Sequence, residues 1–311
     1  MKIPEYFISC DWGTSNFRLR LVKSDSLTII EEIDTNKGVK TLYNEFLKQE
    51  RINQKDFFAN YLLSQVNLLP EKHQKNLIIA SGMVTANIGL YELDYAKMPF
   101  NGSGKSIISK RMQLSNQLEV LLVSGVKNDF GMMRGEETQA IGLLDHINTE
   151  SESVLILPGT HSKHLTYINR EFTELKSFMT GEVFELLATK SILSASIGKP
   201  NNNIIEEWFF KGVSLAIKGE LTANLFSIRA NHLSNKATNQ ENYYFLSGLL
   251  IGDELKYLKD KNINIYLSAT ESLACLYKLA LDFISKKNTV FTSKITKEAI
   301  LAGQKKILTQ I

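Results

Sequence analysis

Asp11-Trp12-Gly13-Thr14-Ser15-Asn16-Phe17-Arg18 is the stretch whose reading decides the fold. An apolar run from Tyr6 to Cys10 precedes it, and beyond it Phe17, Leu19 and Leu21 alternate with Arg18 and Arg20. That period of two predicts a second, half-buried strand. An acid, a glycine and two hydroxyls therefore occupy a tight turn between two strands. Gly13 has no Cβ, so the backbone can approach a ligand there. Thr14, Ser15 and Asn16 offer side-chain donors beside the N–H groups of the turn. Asp11 can hold a hydrated Mg²⁺, a cation that favours a carboxylate together with phosphate oxygens. On these residues alone, a phosphate-and-metal hairpin and an ordinary β-turn with a polar tip are both open.

The chain has 311 residues, a length that suits two domains. Its hydrophobic share of 43% and charged share of 22% are those of a globular protein. A net charge of +3 is too small to argue for nucleic acid or a membrane surface as partner. Cys10 and Cys275 fit neither a disulfide framework nor a metal-ligand spacing. No apolar run reaches the roughly 18 residues of a membrane helix. Glu5 and Asp11 interrupt the start of the chain, which lacks the apolar core of a signal peptide. The expected location is cytoplasmic.

Further along, apolar residues recur at helical spacing from Leu42 to Leu69, and Leu77 to Ala80 reads as a buried strand that enters Ser81-Gly82-Met83. Asn101-Gly102-Ser103-Gly104-Lys105-Ser106 imitates the end of a P-loop, but Pro99 stands where the first glycine is needed, so a surface loop is expected. The strand Glu119–Ser124 leads to Arg134, Glu136 and Glu137 at the start of a helix. Acids there suit the helix dipole, which is a sufficient structural reason for one of them. Two acids beside an arginine, just after a strand, also make a site.

The polar run from Asn148 to Ser153 marks a boundary between a domain at 1–150 and another at 151–311. Val154–Leu157 then reads as a strand, Pro158-Gly159-Thr160-His161-Ser162-Lys163 as a turn, and His164–Ile168 as a returning strand. This repeats the opening, with Gly159-Thr160 matching Gly13-Thr14. Two related domains, each with a hairpin facing a shared cleft, are expected. Only the first copy has an acid before the glycine. Thr180 opens a helix with Glu182 in its first turn. A polar break spans Lys199–Asn203, and Trp208–Ile228 reads as one long helix. Gly248 and Gly252 leave one helix face bare, for a flat ring or for a neighbouring helix. His161 and His164 point to opposite faces of a strand, so no zinc site is expected.

Five ordered blocks carry a resemblance: Asp11–Arg18, Ser81-Gly82-Met83-Val84, Met133–Gln139, Pro158–Lys163 and Phe178-Met179-Thr180-Gly181-Glu182. Together they resemble the 2-dehydro-3-deoxygalactonokinase family, sugar-acid kinases of the actin, hexokinase and Hsp70 superfamily. The resemblance implies an α/β fold of two ribonuclease-H-like (actin/hexokinase-type) domains, each with a mixed sheet, and an ATP cleft between them. It implies ATP-dependent phosphorylation of the terminal 6-hydroxyl of 2-dehydro-3-deoxy-D-galactonate, with Mg²⁺.

On that resemblance, Asp11 holds Mg²⁺ through water, and Gly13, Thr14, Ser15 and Asn16 contact the transferring phosphate with Arg18 beside them. Gly159, Thr160, His161, Ser162 and Lys163 hold the ATP phosphates, and Ser247, Gly248 and Gly252 line the adenine end. Glu136 or Glu137 takes the hydroxyl proton, Glu182 being the other candidate, and Arg134 meets the substrate carboxylate. The sugar-acid site falls in the first domain and the adenosine site in the second. One block departs: the family usually continues after Ser-Gly-Met-Val with an arginine-containing run, where this chain has Thr85-Ala86-Asn87-Ile88-Gly89-Leu90. His164 stands where the family commonly has tryptophan. A kinase for another sugar or keto-deoxy acid keeps every phosphate argument. A non-catalytic actin-like sensor or filament protein is the reading from another class. The partner is a small sugar acid, with homodimerisation left open.

Overall fold

The computed structural model describes residues 3–115, 118–148, 150–200, 203–219 and 221–311. Thr149 of the expected boundary, Asn201 and Asn202 of the expected polar break, and Glu220 within the expected long helix lie outside the described residues.

The strands are β1 (Tyr6–Trp12), β2 (Phe17–Lys23), β3 (Thr28–Thr35), β4 (Ile78–Gly82), β5 (Ala96–Lys97), β6 (Phe100–Asn101), β7 (Ser109–Ser115), β8 (Leu118–Val123), β9 (Val126–Lys127), β10 (Met132–Met133), β11 (Ser153–Leu157), β12 (Ser162–Ile168), β13 (Glu171–Phe178), β14 (Asn264–Leu267) and β15 (Asn288–Val290). The helices are α1 (Val39–Phe46), α2 (Gln54–Val66), α3 (Glu136–Leu143), α4 (Thr180–Lys190), α5 (Glu206–Lys218), α6 (Leu221–Leu233), α7 (Asn239–Leu255), α8 (Glu271–Ile284) and α9 (Ser293–Leu308).

One compact unit comprises Met1–Thr149, Tyr167–Leu175 and Lys294–Ile311. Its main sheet runs β3-β2-β1-β4-β8-β7. The first three strands are antiparallel, while β1, β4 and β8 are parallel. Central parallel strands are covered on both faces, so their sequences lose alternation. Phe7, Ile8, Cys10 and Trp12 of β1 are accordingly all buried. Trp12 packs against Phe17, Phe58 and Tyr61, and its Nε1–H donates to the Lys37 carbonyl at 3.0 Å. Each such ring pair adds about 0.5–1.5 kcal/mol beyond area burial. The helical run expected from Leu42 to Leu69 is broken into α1 and α2. Asn53 caps α2 by accepting the Asp56 N–H, and an N-cap residue has non-helical backbone.

The division at residue 150 leaves two later segments with the first unit. Helix α9 is one. A Cβ on Gly142 would lie 1.8 Å from the Ala299 carbonyl oxygen, and one on Gly303 would lie 1.8 Å from that of Thr138. The α3 and α9 backbones therefore touch directly, which only paired glycines allow. From α9 the Gln304 amide reaches the Cys10 carbonyl and Ser81 Oγ, under the ends of β1 and β4. The other segment is the tip of the β12–β13 hairpin, where Phe172 stacks on Phe100 and β13 pairs with β6.

The second unit comprises Glu150–Thr166 and Lys176–Ser293. Its sheet runs β15-β14-β11-β12-β13, with β11, β14 and β15 parallel. That is the order β8-β4-β1-β2-β3 of the first sheet again. The short sequence repeat is therefore a repeat of topology. The expected helix over Trp208–Ile228 is two helices, because Gly219 at φ +102° ends α5. Among the described residues no helix is long and apolar enough to cross a membrane.

Candidate active site

In the first unit the sequence-predicted residues gather at the carboxyl ends of β1, β4 and β8, where parallel sheets present ligand sites. Asp11 sits opposite Arg18 in the β1–β2 ladder and beside Ser81 of β4. Between the strands, the Gly13 N–H donates to the Asn16 carbonyl at 2.9 Å, and Thr14, Ser15 and Asn16 are exposed. The first turn of α1 backs the loop. Val39, Lys40 and Gly38 N–H groups donate to the carbonyls of Gly13, Thr14 and Ser15 at 2.9, 3.1 and 3.2 Å. A Cβ on Gly38 would come within 2.3 Å of the Ser15 backbone, so Gly38 permits that approach. With the loop carbonyls held by α1, the N–H groups of Thr14, Ser15 and Asn16 have no backbone partner among the described residues. They are the donors an anion would meet.

Asp11 is half-buried. Burial raises its pKa, Arg18 and Arg20 lower it, and Asp34 and Glu136 raise it, with a net upward shift. Arg18 Nη1 lies 3.8 Å from Asp11 and its Nε bonds Asp34 at 3.0 Å. A carboxylate so placed gains from a nearby cation. Among the described residues no group of three or more His, Cys, Asp or Glu is arranged to hold a metal. A single carboxylate is the kind of ligand that Mg²⁺ takes together with water and phosphate oxygens.

Arg134 was expected to meet a substrate carboxylate. Its guanidinium instead binds the loop after β4: Nη1 donates to the Thr85 carbonyl and, at 2.7 Å, to Thr85 Oγ1, while Nη2 reaches the Leu93 carbonyl at 3.4 Å. It also lies 4.1 Å over the Tyr95 ring. With Nε also donating to Tyr95 Oη at 3.3 Å, four of its donor contacts are committed to residues 85–95, so it shapes the segment in which this chain departs from the family pattern.

The acid pair divides by burial. Glu137 is fully buried, and its carboxylate accepts the Gly135 N–H at 2.7 Å and Thr138 Oγ1 at 3.0 Å. Burial first, then the Glu136 charge, raises its pKa from 4.5 to about 7. Glu136 is half-exposed and accepts the Arg134 N–H at 3.0 Å. Its charge acts on both Asp11 and Glu137. Gly135, at φ +115°, makes the turn that places both acids at the head of α3.

The Glu137 shift has a direct consequence for stability. A carboxyl whose folded pKa is raised binds its proton more tightly folded than unfolded. Its contribution is complete below the unfolded value and is lost as pH rises through the folded one, a span worth about 3 kcal/mol for 4.5 to about 7. Glu137→Gln should therefore gain stability relative to wild type as pH rises from 4.5 to 8. Melting temperatures across that range check it, and a difference independent of pH would contradict it.

In the second unit the hairpin turn is built on the same plan. The Glu182 N–H of α4 donates to the Thr160 carbonyl at 3.0 Å. A Cβ on Gly181 would lie 2.5 Å from the Gly159 carbonyl, so Gly181 answers to Gly38. A Cβ on Gly159 would meet no protein atom within 4 Å. The fold does not need that glycine, and the open space beside it belongs to a pocket. Gly159, Thr180, Gly181, Phe184, Tyr243, Ser247, Leu250, Ile251, Leu273, Leu276 and Tyr277 line it, a pocket of about 120 Å³ that opens to solvent. Its walls are largely apolar beyond the hairpin, as a flat ring system requires.

Thr160 and His161 are exposed, and His161 Nε2 pairs with Glu182 at 2.5 Å. Lys163 is buried, with Nζ on the His161 carbonyl at 3.0 Å. Two expectations need correcting here. Ser162 is buried and donates to Glu254 at 2.7 Å, so its hydroxyl does not face the pocket. Gly248 and Gly252 are packing residues. A Cβ on Gly248 would lie 2.1 Å from the Phe209 carbonyl, and one on Gly252 would lie 2.9 Å from Val213 Cα, so both serve the α5–α7 contact. Only Ser247 of that trio lines the pocket. Gly38 and Glu254 went unread in the sequence, and Gly181 was quoted there without its reason. An acid closing the apolar run of α7 was the available signal for Glu254.

The 2-keto-3-deoxy-galactonokinase family matches residues 11–307 of the chain. The 2-dehydro-3-deoxygalactonokinase of Escherichia coli (strain K12) is 28% identical over 282 residues, covering 88% of each protein. A probable 2-dehydro-3-deoxygalactonokinase of Rhizobium meliloti (strain 1021) is 27% identical over 291 residues, covering 91% of this chain and 90% of that one. The crystal structure of a candidate 2-dehydro-3-deoxygalactonokinase from Sinorhizobium meliloti superimposes with a TM-score of 0.81 at 25% identity, over 98% of this chain and 97% of that one. A kinase takes its phosphoryl group from a nucleotide. The chain belongs to the 2-keto-3-deoxy-galactonokinase family and is a sugar-acid kinase.

Proposed function

We propose that this kinase transfers the γ-phosphoryl group of ATP to the terminal 6-hydroxyl of 2-dehydro-3-deoxy-D-galactonate. The observation that carries the reading is the family match across residues 11–307. The expected setting is the cytoplasm.

In this reading each unit has its own task. The Thr14, Ser15 and Asn16 N–H groups receive the transferring phosphoryl group. Asp11 would hold Mg²⁺ through water, and the metal, when bound, neutralises charge on the phosphate oxygens. Glu136 is the base, being the acid of the pair with exposure. It takes the hydroxyl proton as the new O–P bond forms and the bond to the ADP oxygen breaks. Glu137 sets the local charge from beneath. Arg134 orders residues 85–95, where acceptor choice resides. In the second unit Gly159, Thr160, His161 and Lys163 serve the ATP phosphates, and the pocket past Ser247 takes adenine.

Phosphorus NMR of the product tests the assignment. One phosphomonoester coupled to the C6 methylene protons is expected. Phosphate released without an acceptor, or a phosphate on a secondary hydroxyl, would contradict it.

A further inference from the structure

The second unit contains a buried carboxylate that the phosphoryl-transfer chemistry leaves unused. The Glu254 side chain is 1% exposed, yet four donors converge on it. Ser162 Oγ and His164 Nε2 each lie 2.7 Å from Oε1. Tyr277 Oη lies 2.8 Å from Oε2, which Thr180 Oγ1 also meets. The donors come from three elements, β12, the first residue of α4, and α8, while Glu254 itself is on α7. Ser162 and His164 are two apart on one strand and so share a face. Burial alone pushes this carboxyl up, but the His164 hydrogen bond and charge, with the hydroxyls, hold it below the usual carboxylate range.

A buried charge is weak evidence of a stability role, because well-packed apolar residues serve as well or better. A fully satisfied buried network does something else: it fixes one arrangement of the elements it joins. Here those elements frame the pocket. Thr180 and Tyr277 line it, and Gly181, next to Thr180, abuts the Gly159 carbonyl. We infer that Glu254 is a positioning residue for the nucleotide, tying the β12 side of the phosphate hairpin, the head of α4 and the α8 wall into one spacing. His164 suits this role in a way that tryptophan could not. Its Nδ1 shares a hydrogen bond with Tyr257 Oη at 2.7 Å while Nε2 serves Glu254, whereas an indole has a single N–H. The inference rests on the reading of this pocket as the nucleotide site.

Glu254→Gln keeps the shape but offers one acceptor oxygen to four donors. It should raise the ATP KM about tenfold and leave the sugar-acid KM within about twofold, the pattern of a lost nucleotide-side interaction. His164→Phe keeps the ring packed on Phe178 and removes one donor; about a threefold rise in ATP KM is expected, again with the sugar-acid KM unmoved. Should Glu254→Gln not fold, His164→Phe decides alone. The inference is overturned if the ATP KM stays unchanged, or if both KM values rise in parallel. Gly159→Val separates the two readings, since valine meets open space there. If it raises the ATP KM and the other variants do not, only the positioning role of Glu254 falls. If it leaves the ATP KM unchanged, the pocket is not the nucleotide site and both readings fall.

Discussion

Asp11→Asn should lower kcat by at least about a hundredfold, the scale on which a charge aimed at a transferring group contributes. The substitution is isosteric and spares the fold. The hairpin is held by the β1–β2 ladder, by Trp12 and Phe17 in the core, and by the three α1 N–H groups on the loop carbonyls. Arg18 keeps its bond to Asp34. What disappears is a half-buried negative charge whose pKa is already raised by burial and by Asp34 and Glu136. In the proposed working complex a bound cation would balance that charge. Steady-state kcat over a Mg²⁺ titration, with circular dichroism to confirm folding, reads the effect. Turnover near wild type would remove Asp11 from the metal side of the reaction.

The second large effect concerns the base. Glu136→Gln should reduce kcat by about 10² to 10⁴, the range for a positioned general base, with both KM values little changed. Glu137→Gln should cost far less. Glu137 is enclosed, and its carboxylate is occupied by the Gly135 N–H and the Thr138 hydroxyl. Glu136 is partly open to solvent and Glu137 is not. Comparison of the two variants under saturating substrates decides between them. If the Glu137 variant loses as much as the Glu136 variant or more, the roles are exchanged.

Much of the architecture was legible because local signals agreed. Alternation from Phe17 to Leu21, the glycine turns at Gly13 and Gly159, and the apolar runs before them predict two matching hairpins, and the sheets share one strand order. What the sequence hid depends on distance or on parity. Gly142 and Gly303 are unremarkable alone, and they mean a helix contact only when α3 and α9 meet. Gly38 and Gly181 precede or open helices, yet their reason is the hairpin backbone each one touches. On β12, Ser162, Lys163, His164 and Leu165 are all buried, so no alternation shows which side chains face a ligand. The resemblance places Ser162 at the ATP phosphates, and its hydroxyl points to Glu254. Gly248 and Gly252 suit a ring or, more commonly, a neighbouring helix, and α5 is that helix. Arg134 beside two acids looked like a substrate contact, and the Thr85 and Leu93 carbonyls that claim it lie far upstream.

The most direct test of the central claim is ADP release coupled to NADH oxidation, with 2-dehydro-3-deoxy-D-galactonate and its C4 epimer, 2-dehydro-3-deoxy-D-gluconate, as acceptors. ADP formation that depends on acceptor, with the galactonate compound giving the higher kcat/KM, is the result expected. ADP release that ignores the acceptor, or a clear preference for the epimer, would contradict it.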